Sequence, residues 1–333
     1  MMRLPRFRYV APSSLGEAID VLASASPGDA MIVAGGTDVI PNMKRRQQTP
    51  GTLVGLRGIP ELQRVQNGDG LSIGAGVTLT RLASELDSRH AIGLTGLRQA
   101  VLQIATPHLR NMGTVGGNLC LDTRCNYYDQ NYEWRQAIDF CMKKDGTVCW
   151  VAPGSPRCLA VQSADSVPIL IALRARAVLA SPEGERELPL EDLYANDGIH
   201  YLTKRPDELL TQIRVPAPDG WTASYRKLRR RGTFDFPVLA VGAAVRREGE
   251  RVAESRIVLG AVASAPVRAS GAEAALMGRA LDEAAIAQAA AAAAAVSRPM
   301  DNTDFSFLWR KEMTGRWVGM ALTDLARGAA RPS

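Results

Sequence analysis

Thr114-Val115-Gly116-Gly117-Asn118 is a glycine-rich turn that runs directly into the segment holding every cysteine of the chain: Cys120, Cys125, Cys141, Cys149 and Cys158. Glycine has no Cβ to obstruct a ligand and tolerates positive φ, so successive backbone N–H groups in such a turn can converge on a phosphate. Clustered thiolates are the ligands that soft or borderline metals take. An anion-binding turn beside a thiol cluster points to a redox protein. A second turn, Ala34-Gly35-Gly36-Thr37-Asp38, follows the apolar strand Met31-Ile32-Val33-Ala34, a standard place for a ligand to meet backbone amides. Alone it is an ordinary tight turn. Two such turns about eighty residues apart suit a dinucleotide, whose central pyrophosphate can be gripped from both sides. Neither the G-x-G-x-x-G fingerprint nor the P-loop signature is present.

The 333 residues, 46% hydrophobic and 22% charged, suffice for two or three ordinary domains. The net charge of +6 is mild, and its basic residues are scattered except for Lys44-Arg45-Arg46 and Arg226-Lys227-Leu228-Arg229-Arg230-Arg231. Nucleic-acid binding would need a basic stripe with stacking aromatics, which is absent. The first residues lack the apolar stretch of a signal peptide, and the most apolar helical run, Ile286 to Val296, is too short to span a bilayer. A soluble, cytoplasmic protein with no membrane contact is expected. An odd number of cysteines confined to one segment is unlike a disulfide framework, so reduced thiols on a metal fit better.

The chain opens with Phe7 to Pro12, then a helix capped by Ser13 or Ser14 with apolar Leu15, Ala18, Ile19 and Leu22. Strands are expected at Met31 to Ala34, Leu53 to Leu56 and Leu71 to Gly74, and helices at Leu79 to Leu86 and Gly96 to Ala105. Val167 to Ala180 reads as one or two strands, and Glu208 to Val215 as another, closed by Pro216. Pro216 to Gly220 is a linker, followed by strands at Pro237 to Val245 and Ile257 to Val262 and an alanine-rich helix from Asp282 to Val296. The alanines Ala289 to Ala295 imply a face packed closely against a neighbour. Domains are therefore expected at 1–216 and 221–333, with a cysteine-rich insertion at about 120–160.

Ile32 to Asp38 together with Leu109-Arg110-Asn111-Met112-Gly113-Thr114-Val115-Gly116-Gly117-Asn118 closely resembles the FAD-binding subunits of molybdenum hydroxylases. The resemblance continues through Ser163 to Pro168, Glu208-Leu209-Leu210, Tyr225-Arg226-Lys227 and Phe234-Asp235-Phe236-Pro237-Val238, and covers nearly the whole chain. It implies an α+β fold: a two-subdomain FAD-binding unit of the PCMH or vanillyl-alcohol-oxidase type, then a small C-terminal α/β domain. It also implies that Ile32, Val33, Ala34, Gly35, Gly36, Thr37, Asp38 and Val39, with Thr114, Val115, Gly116, Gly117 and Asn118, wrap the FAD pyrophosphate and ribityl chain through backbone N–H groups. Ile104, Asp165, Leu210 and Lys227 fall where the family contacts the rest of the cofactor. Asp165 can accept from ribose or ribityl hydroxyls, and Lys227 can place positive charge near the flavin N1/C2=O edge. One departure is His108-Leu109, where the family more often has glutamine and isoleucine.

Relatives pass from the Gly-Gly-Asn turn to the aspartate within a handful of residues, whereas Asn118 and Asp165 lie 47 positions apart here. The insertion carries Tyr127, Tyr128, Tyr132, Trp134, Phe140 and Trp150, a third of the chain's phenylalanines, tyrosines and tryptophans, which a floppy linker would not. Four thiolates complete a tetrahedral site. Cys120, two residues beyond Asn118, is the expected spare, leaving Cys125, Cys141, Cys149 and Cys158. Their spacing has no C-x₂-C pair, as zinc knuckles usually do, and misses the common ferredoxin run, so iron–sulfur, zinc and unligated buried thiols all stay open. A cysteine-bearing insertion at this point resembles the flavin subunits of 4-hydroxybenzoyl-CoA reductases, which implies a [4Fe–4S] cluster on those four cysteines. It further implies ferredoxin as donor and, as partners, a small [2Fe–2S] subunit and a large molybdenum-cofactor subunit in a dimer of heterotrimers. No catalytic nucleophile or acid–base pair is expected in this chain. Two other readings are an FAD subunit of a carbon monoxide, xanthine or aldehyde dehydrogenase that delivers electrons to NAD or quinone, and a flavin-free assembly scaffold stapled by structural zinc.

Overall fold

A computed structural model describes residues 3–88 and 92–328. The extreme ends of the two expected domains, Met1, Met2 and residues 329–333, lie outside the described residues. Three parallel strands, β1 (Arg8–Val10), β2 (Ala30–Val33) and β3 (Thr52–Gly55), form the first sheet, in the order β1-β3-β2. The crossover between β1 and β2 is the helix Leu15–Ser24. Ser14 Oγ accepts from the Glu17 amide at 3.3 Å while Glu17 reaches back to the Ser13 amide at 2.7 Å, so orphan donors of the first turn are met by side chains. Ala18, Ile19 and Leu22 fall on its buried face.

The second sheet is antiparallel and five-stranded: β4 (Val65–Gly68), β5 (Gly70–Gly74), β6 (Arg176–Ser181), β7 (Gly184–Pro189) and β8 (Leu209–Pro216), ordered β4-β5-β8-β6-β7. Its apolar face and the helices Leu79–Ser88 and Thr95–Gln103 close one continuous core with the first sheet. The third sheet, β9 (Trp221–Leu228), β10 (Leu239–Glu248), β11 (Arg251–Gly260) and β12 (Val267–Arg268), is also antiparallel and carries its own core against the helices Ser270–Leu276, Glu283–Val296 and Phe307–Ala326. The alanine-rich helix buries Ala285, Ala289 and Ala293, and Gly315 and Gly319 of the last helix face Ala290, so the close packing read from the alanines is present. β9 and the last helix lie outside the elements expected from sequence. Among the described residues no helix is long and apolar enough to cross a membrane.

One expectation is corrected. Val167 to Ala180 is the helix Ser166–Ala172 followed by β6, not strand throughout. All seven residues of that helix are buried, so it has no polar face and its β-branched run shows no helical period. Pro168 stands in its first turn, where no N–H is needed. The helix lies on the third sheet at Gly242 and Gly260, where added Cβ atoms would stand 2.5 Å from the Pro168 carbonyl carbon and 2.6 Å from its Cγ. Two missing side chains thus seat the N-terminal unit on the C-terminal one.

Glu208 fixes the start of β8. Its side chain is 1% exposed and accepts from Arg186 Nε at 2.6 Å, Arg186 Nη2 at 2.9 Å and the Arg205 amide at 2.6 Å. Burial alone would push the carboxyl up, but the Arg186 fork and the Arg205 amide outweigh it and hold it below the usual carboxylate range. A depressed folded-state value stabilises the fold above the unfolded value of about 4.3, and that contribution is lost as pH falls through the folded value. Glu208→Gln is therefore expected to lower stability at pH 7 while narrowing the gap to wild type in acid, as read by urea denaturation at the two pH values; an equal loss at both would show the charge is not what matters.

Candidate functional site

The two glycine turns meet. A Cβ on Gly35 would overlap the carbonyl oxygen of Met112, so side-chain absence at Gly35 lets the first turn lie against the second. Between them and β8 lies a cavity of about 590 Å³. Ile32, Ala34, Gly35, Gly36, Thr37, Asp38 and Val39 line it from the first turn, Thr114, Gly116, Gly117 and Asn118 from the second, and Ile104, Asp165 and Leu210 complete the wall. Val33, Val115 and Lys227 do not reach it: Val115 is core, and Lys227 lies behind Asp165. Gly36 adopts φ +72°, where a side chain would be strained.

The second turn differs from a nest of free amides. The N–H groups of Val115, Gly116 and Gly117 are donated to Val77 O at 2.9 Å, Ala75 O at 2.8 Å and Thr114 Oγ1 at 3.0 Å. Glycine at 116 lets this turn lie against the end of β5, since a Cβ there would stand 2.7 Å from Ala75 Cβ. Asn118 is spent on structure as well, its Oδ1 accepting from Ser166 Oγ at 2.6 Å and the Ser166 amide at 3.2 Å.

Asp165 and Lys227 are brought together rather than placed separately. Lys227 Nζ lies 2.9 Å from Asp165 Oδ1 and donates to Gln103 O at 3.0 Å, while Tyr225 Oη–H donates to Asp165 at 2.7 Å. Burial pushes the Asp165 carboxyl up and the Lys227 ammonium down, and each group's charge opposes the other's shift. The basic run around Lys227 is consumed internally: Arg226 forks onto Asp324 at 2.6 and 2.7 Å, Arg229 donates to Gln103 O at 3.1 Å, and Arg231 pairs with Asp235. That last pair shapes a loop whose Phe234 amide and Thr233 hydroxyl both donate to Ala105 O, at 3.0 and 3.1 Å, which places Phe234 and Phe236 on the cavity rim.

Sequence reasoning missed Arg124, the residue that joins this cavity to the cysteine segment. Its guanidinium pairs with Asp38 of the first turn, lies 3.2 Å from Asp129 Oδ1 and has its Cζ 4.5 Å from the Phe236 ring centroid. Asp129 in turn accepts from the Cys125 amide at 3.2 Å. The available signal is Asp38 itself, a half-buried turn carboxylate that a cation would satisfy. Tyr225 was quoted as a motif without a role, and Asp122 was not singled out; Asp122 lines the cavity and holds Lys143 Nζ at 2.8 Å.

Cys125, Cys141, Cys149 and Cys158 are 4–7% exposed. Cys125, Cys141 and Cys158 share a small core with Tyr128 and Ala160, against which Tyr127, Met142 and Val151 pack. A negative charge on Cys149 would be felt by both Cys141 and Cys158. Burial pushes Cys125 up to about 12 and Cys158 up to about 11, opposed by the amides of Tyr127 and Ala160 respectively. Burial also raises Cys141, against a lowering from the nearby backbone of Lys143 and Lys144. Cys120 stands apart, on the wall of the main cavity. Among the described residues no three His, Cys, Asp or Glu side chains form a group that could hold a metal ion. Cys158 Sγ accepts from the Ala160 amide at 3.4 Å.

Residues 5–218 match the family model described as the FAD binding domain in molybdopterin dehydrogenase, and residues 223–325 that of the CO dehydrogenase flavoprotein C-terminal domain. The carbon monoxide dehydrogenase medium chain of Hydrogenophaga pseudoflava is 30% identical over 322 residues, 96% of each chain. The FAD-binding subunit of aldehyde oxidoreductase from Escherichia coli is 32% identical over 286 residues, 81% of this chain and 86% of that subunit. Among solved structures, carbon monoxide dehydrogenase from H. pseudoflava superposes with a TM-score of 0.80 at 30% identity over 99% of this chain and 100% of the other, and quinoline 2-oxidoreductase from Pseudomonas putida with 0.78 at 26% over the same shares. FAD suits the cavity: its volume lies in the range of small-molecule sites, and the glycine-stripped wall leaves room for a ligand along both turns. The flavin-free scaffold reading is thereby set aside. Gly35→Ala, which forces the two turns apart, is expected to yield folded protein with flavin absorbance reduced at least tenfold relative to wild type; full flavin occupancy would show that the interlock does not shape the site. The chain belongs to the molybdenum hydroxylase family, as an FAD-binding medium subunit of the carbon monoxide dehydrogenase type.

Proposed function

We propose that this subunit is the end at which electrons come into a 4-hydroxybenzoyl-CoA reductase-like complex, with a [4Fe–4S] cluster on Cys125, Cys141, Cys149 and Cys158 beside the FAD. Ferredoxin is the donor, and the partners are a small [2Fe–2S] subunit and a large molybdenum-cofactor subunit, where the substrate is reduced. What supports this reading is that Cys125, Cys141 and Cys158 share one small buried core, with Cys149 buried as well and Cys120 left elsewhere. When bound, FAD exchanges electrons singly or in pairs and so joins one-electron centres to two-electron chemistry. The chain's own residues do the rest. The glycine turns admit the cofactor, Asp165 faces the cavity with its charge held by Lys227 and Tyr225, and Phe234 and Phe236 cover the rim. Asp122, Lys143 and Arg124 occupy the ground between the cavity and the thiols with paired charges, which keeps that ground dry and rigid.

The named relatives favour a second reading. Carbon monoxide dehydrogenase, aldehyde oxidoreductase and nicotine 6-hydroxylase subunits are among the relatives, which supports a dehydrogenase-type complex; in that reading electrons leave through this subunit to NAD or quinone. Metal analysis separates the two. For the chain purified without oxygen, about four iron and four acid-labile sulfide per flavin is expected; zinc, or no metal, overturns the cluster and returns the dehydrogenase reading to first place. Cys141→Ser is expected to remove iron and sulfide while leaving flavin, and Cys120→Ser to leave both. Loss of iron from Cys120→Ser alone would overturn the ligand assignment.

A further inference from the structure

Charge on the wall of the large cavity does not balance. Four carboxylates line it, and each has its own cation: Asp38 pairs with Arg124, Asp122 with Lys143 Nζ at 2.8 Å, Asp165 with Lys227 Nζ at 2.9 Å, and Asp235 with Arg231 Nε at 2.9 Å. Three cations line the same wall: Arg45, Arg124 and Lys204. Arg124 is shared between Asp38 and Asp129, the second of which stands off the cavity. Lys204 Nζ donates only to main-chain oxygens, Glu208 O at 3.2 Å and Arg205 O at 3.3 Å, so it is anchored at the start of β8 with no carboxylate against it. Arg45, from the basic run Lys44-Arg45-Arg46, has its carbonyl held by Arg135 Nη2 at 2.9 Å. Its guanidinium has no hydrogen-bond or ion-pair partner among the described residues. Both residues are half-buried.

The backbone shows the same imbalance. Amides of the second glycine turn are accepted within the chain, whereas the N–H groups of Gly35, Gly36, Thr37 and Asp38 on the first turn have no acceptor among the described residues. Unmet donors and unmatched positive charge around one cavity suit an anion that offers several oxygens. FAD carries such a group in its pyrophosphate, with about one negative charge on each phosphate near neutral pH, and arginine and lysine meet phosphate oxygens through short charge-assisted hydrogen bonds. We propose that Arg45 and Lys204 are the counter-charges of the FAD pyrophosphate, which seats on the amides of the first glycine turn rather than being gripped by those of both. The two residues bind and position the dinucleotide. The proposal rests on FAD as the ligand of this cavity and is independent of the cysteine segment and of the direction in which electrons flow.

The test is rebinding of FAD to the complex stripped of its flavin, read by quenching of FAD fluorescence at low and high salt. Wild type is compared with Arg45→Gln, Lys204→Gln, the double variant, and the charge-keeping Arg45→Lys and Lys204→Arg. Each neutral variant is expected to weaken FAD about tenfold and the double variant further, with the charge-keeping variants near wild type. Wild-type affinity is expected to fall with salt and the double variant to lose most of that fall, because screening acts on the charges it lacks. Inorganic pyrophosphate is expected to compete with FAD for wild type and not for the double variant. Unchanged affinity in the double variant overturns the proposal and leaves FAD in the cavity. An equal loss in the charge-keeping variants overturns it too, because that would mark shape rather than charge. Should the neutral variants fail to assemble, wild type decides alone, since FAD affinity indifferent to salt overturns the proposal. A wild-type complex that takes up no FAD overturns the proposal and FAD as the ligand together.

Discussion

Asp165 and Lys227 stand 2.9 Å apart with side chains 3% and 0% exposed, one at the start of the helix Ser166–Ala172 and the other on β9 of the C-terminal unit. Removing either partner of a buried pair leaves an uncompensated charge, which typically costs about 3–5 kcal/mol. Tyr225 and Gln103 complete the arrangement, and Gln99 Oε1 accepts from the Tyr225 amide at 2.9 Å, so three elements from two domains share one polar knot. The cavity exists because this knot and the glycine-surfaced seat of the same helix hold the domains in one relation. Everything at the site is built on that joint.

The glycine turns were legible because they answer to local rules: an apolar strand, a turn without Cβ atoms, a capping threonine. Nearly all of the residues they supply do line the cavity. The helix Ser166–Ala172 was illegible for an equally physical reason, as a fully buried segment shows no period, and its sequence of Val167, Ile169 and Ile171 argues for strand by itself. Lys227 was assigned to the flavin on resemblance, whereas three-dimensional contacts give its ammonium to Asp165 and Gln103. Arg124 went unseen because its partners, Asp38 and Asp129, come from segments 91 positions apart and nothing local marks it.

The cysteine segment shows how a small insertion acquires order. It has little apolar surface of its own and no regular sheet, so it is fastened by side chains: Gln47 Nε2 to Tyr128 O at 2.5 Å, Arg135 to Arg45 O, Thr123 Oγ1 to Gly198 O at 2.5 Å and Asn302 Nδ2 to Leu159 O at 2.6 Å. The last of these reaches into the C-terminal unit. Gly198 is held close as well, for a Cβ there would stand 2.6 Å from Cys158 Sγ. A segment tied at so many separate points takes its shape from its surroundings.

Arg124 gives the molecule a direct tie between the cavity wall and the cysteine segment. One guanidinium holds Asp38 of the first glycine turn and Asp129, which caps the Cys125 amide. A single side chain thereby joins the backbone beside Cys125 to the turn that lines the large cavity. The wall of the large cavity and the backbone at Cys125 therefore share one charge network, and a substitution at Arg124 leaves carboxylates unpaired at both ends of it.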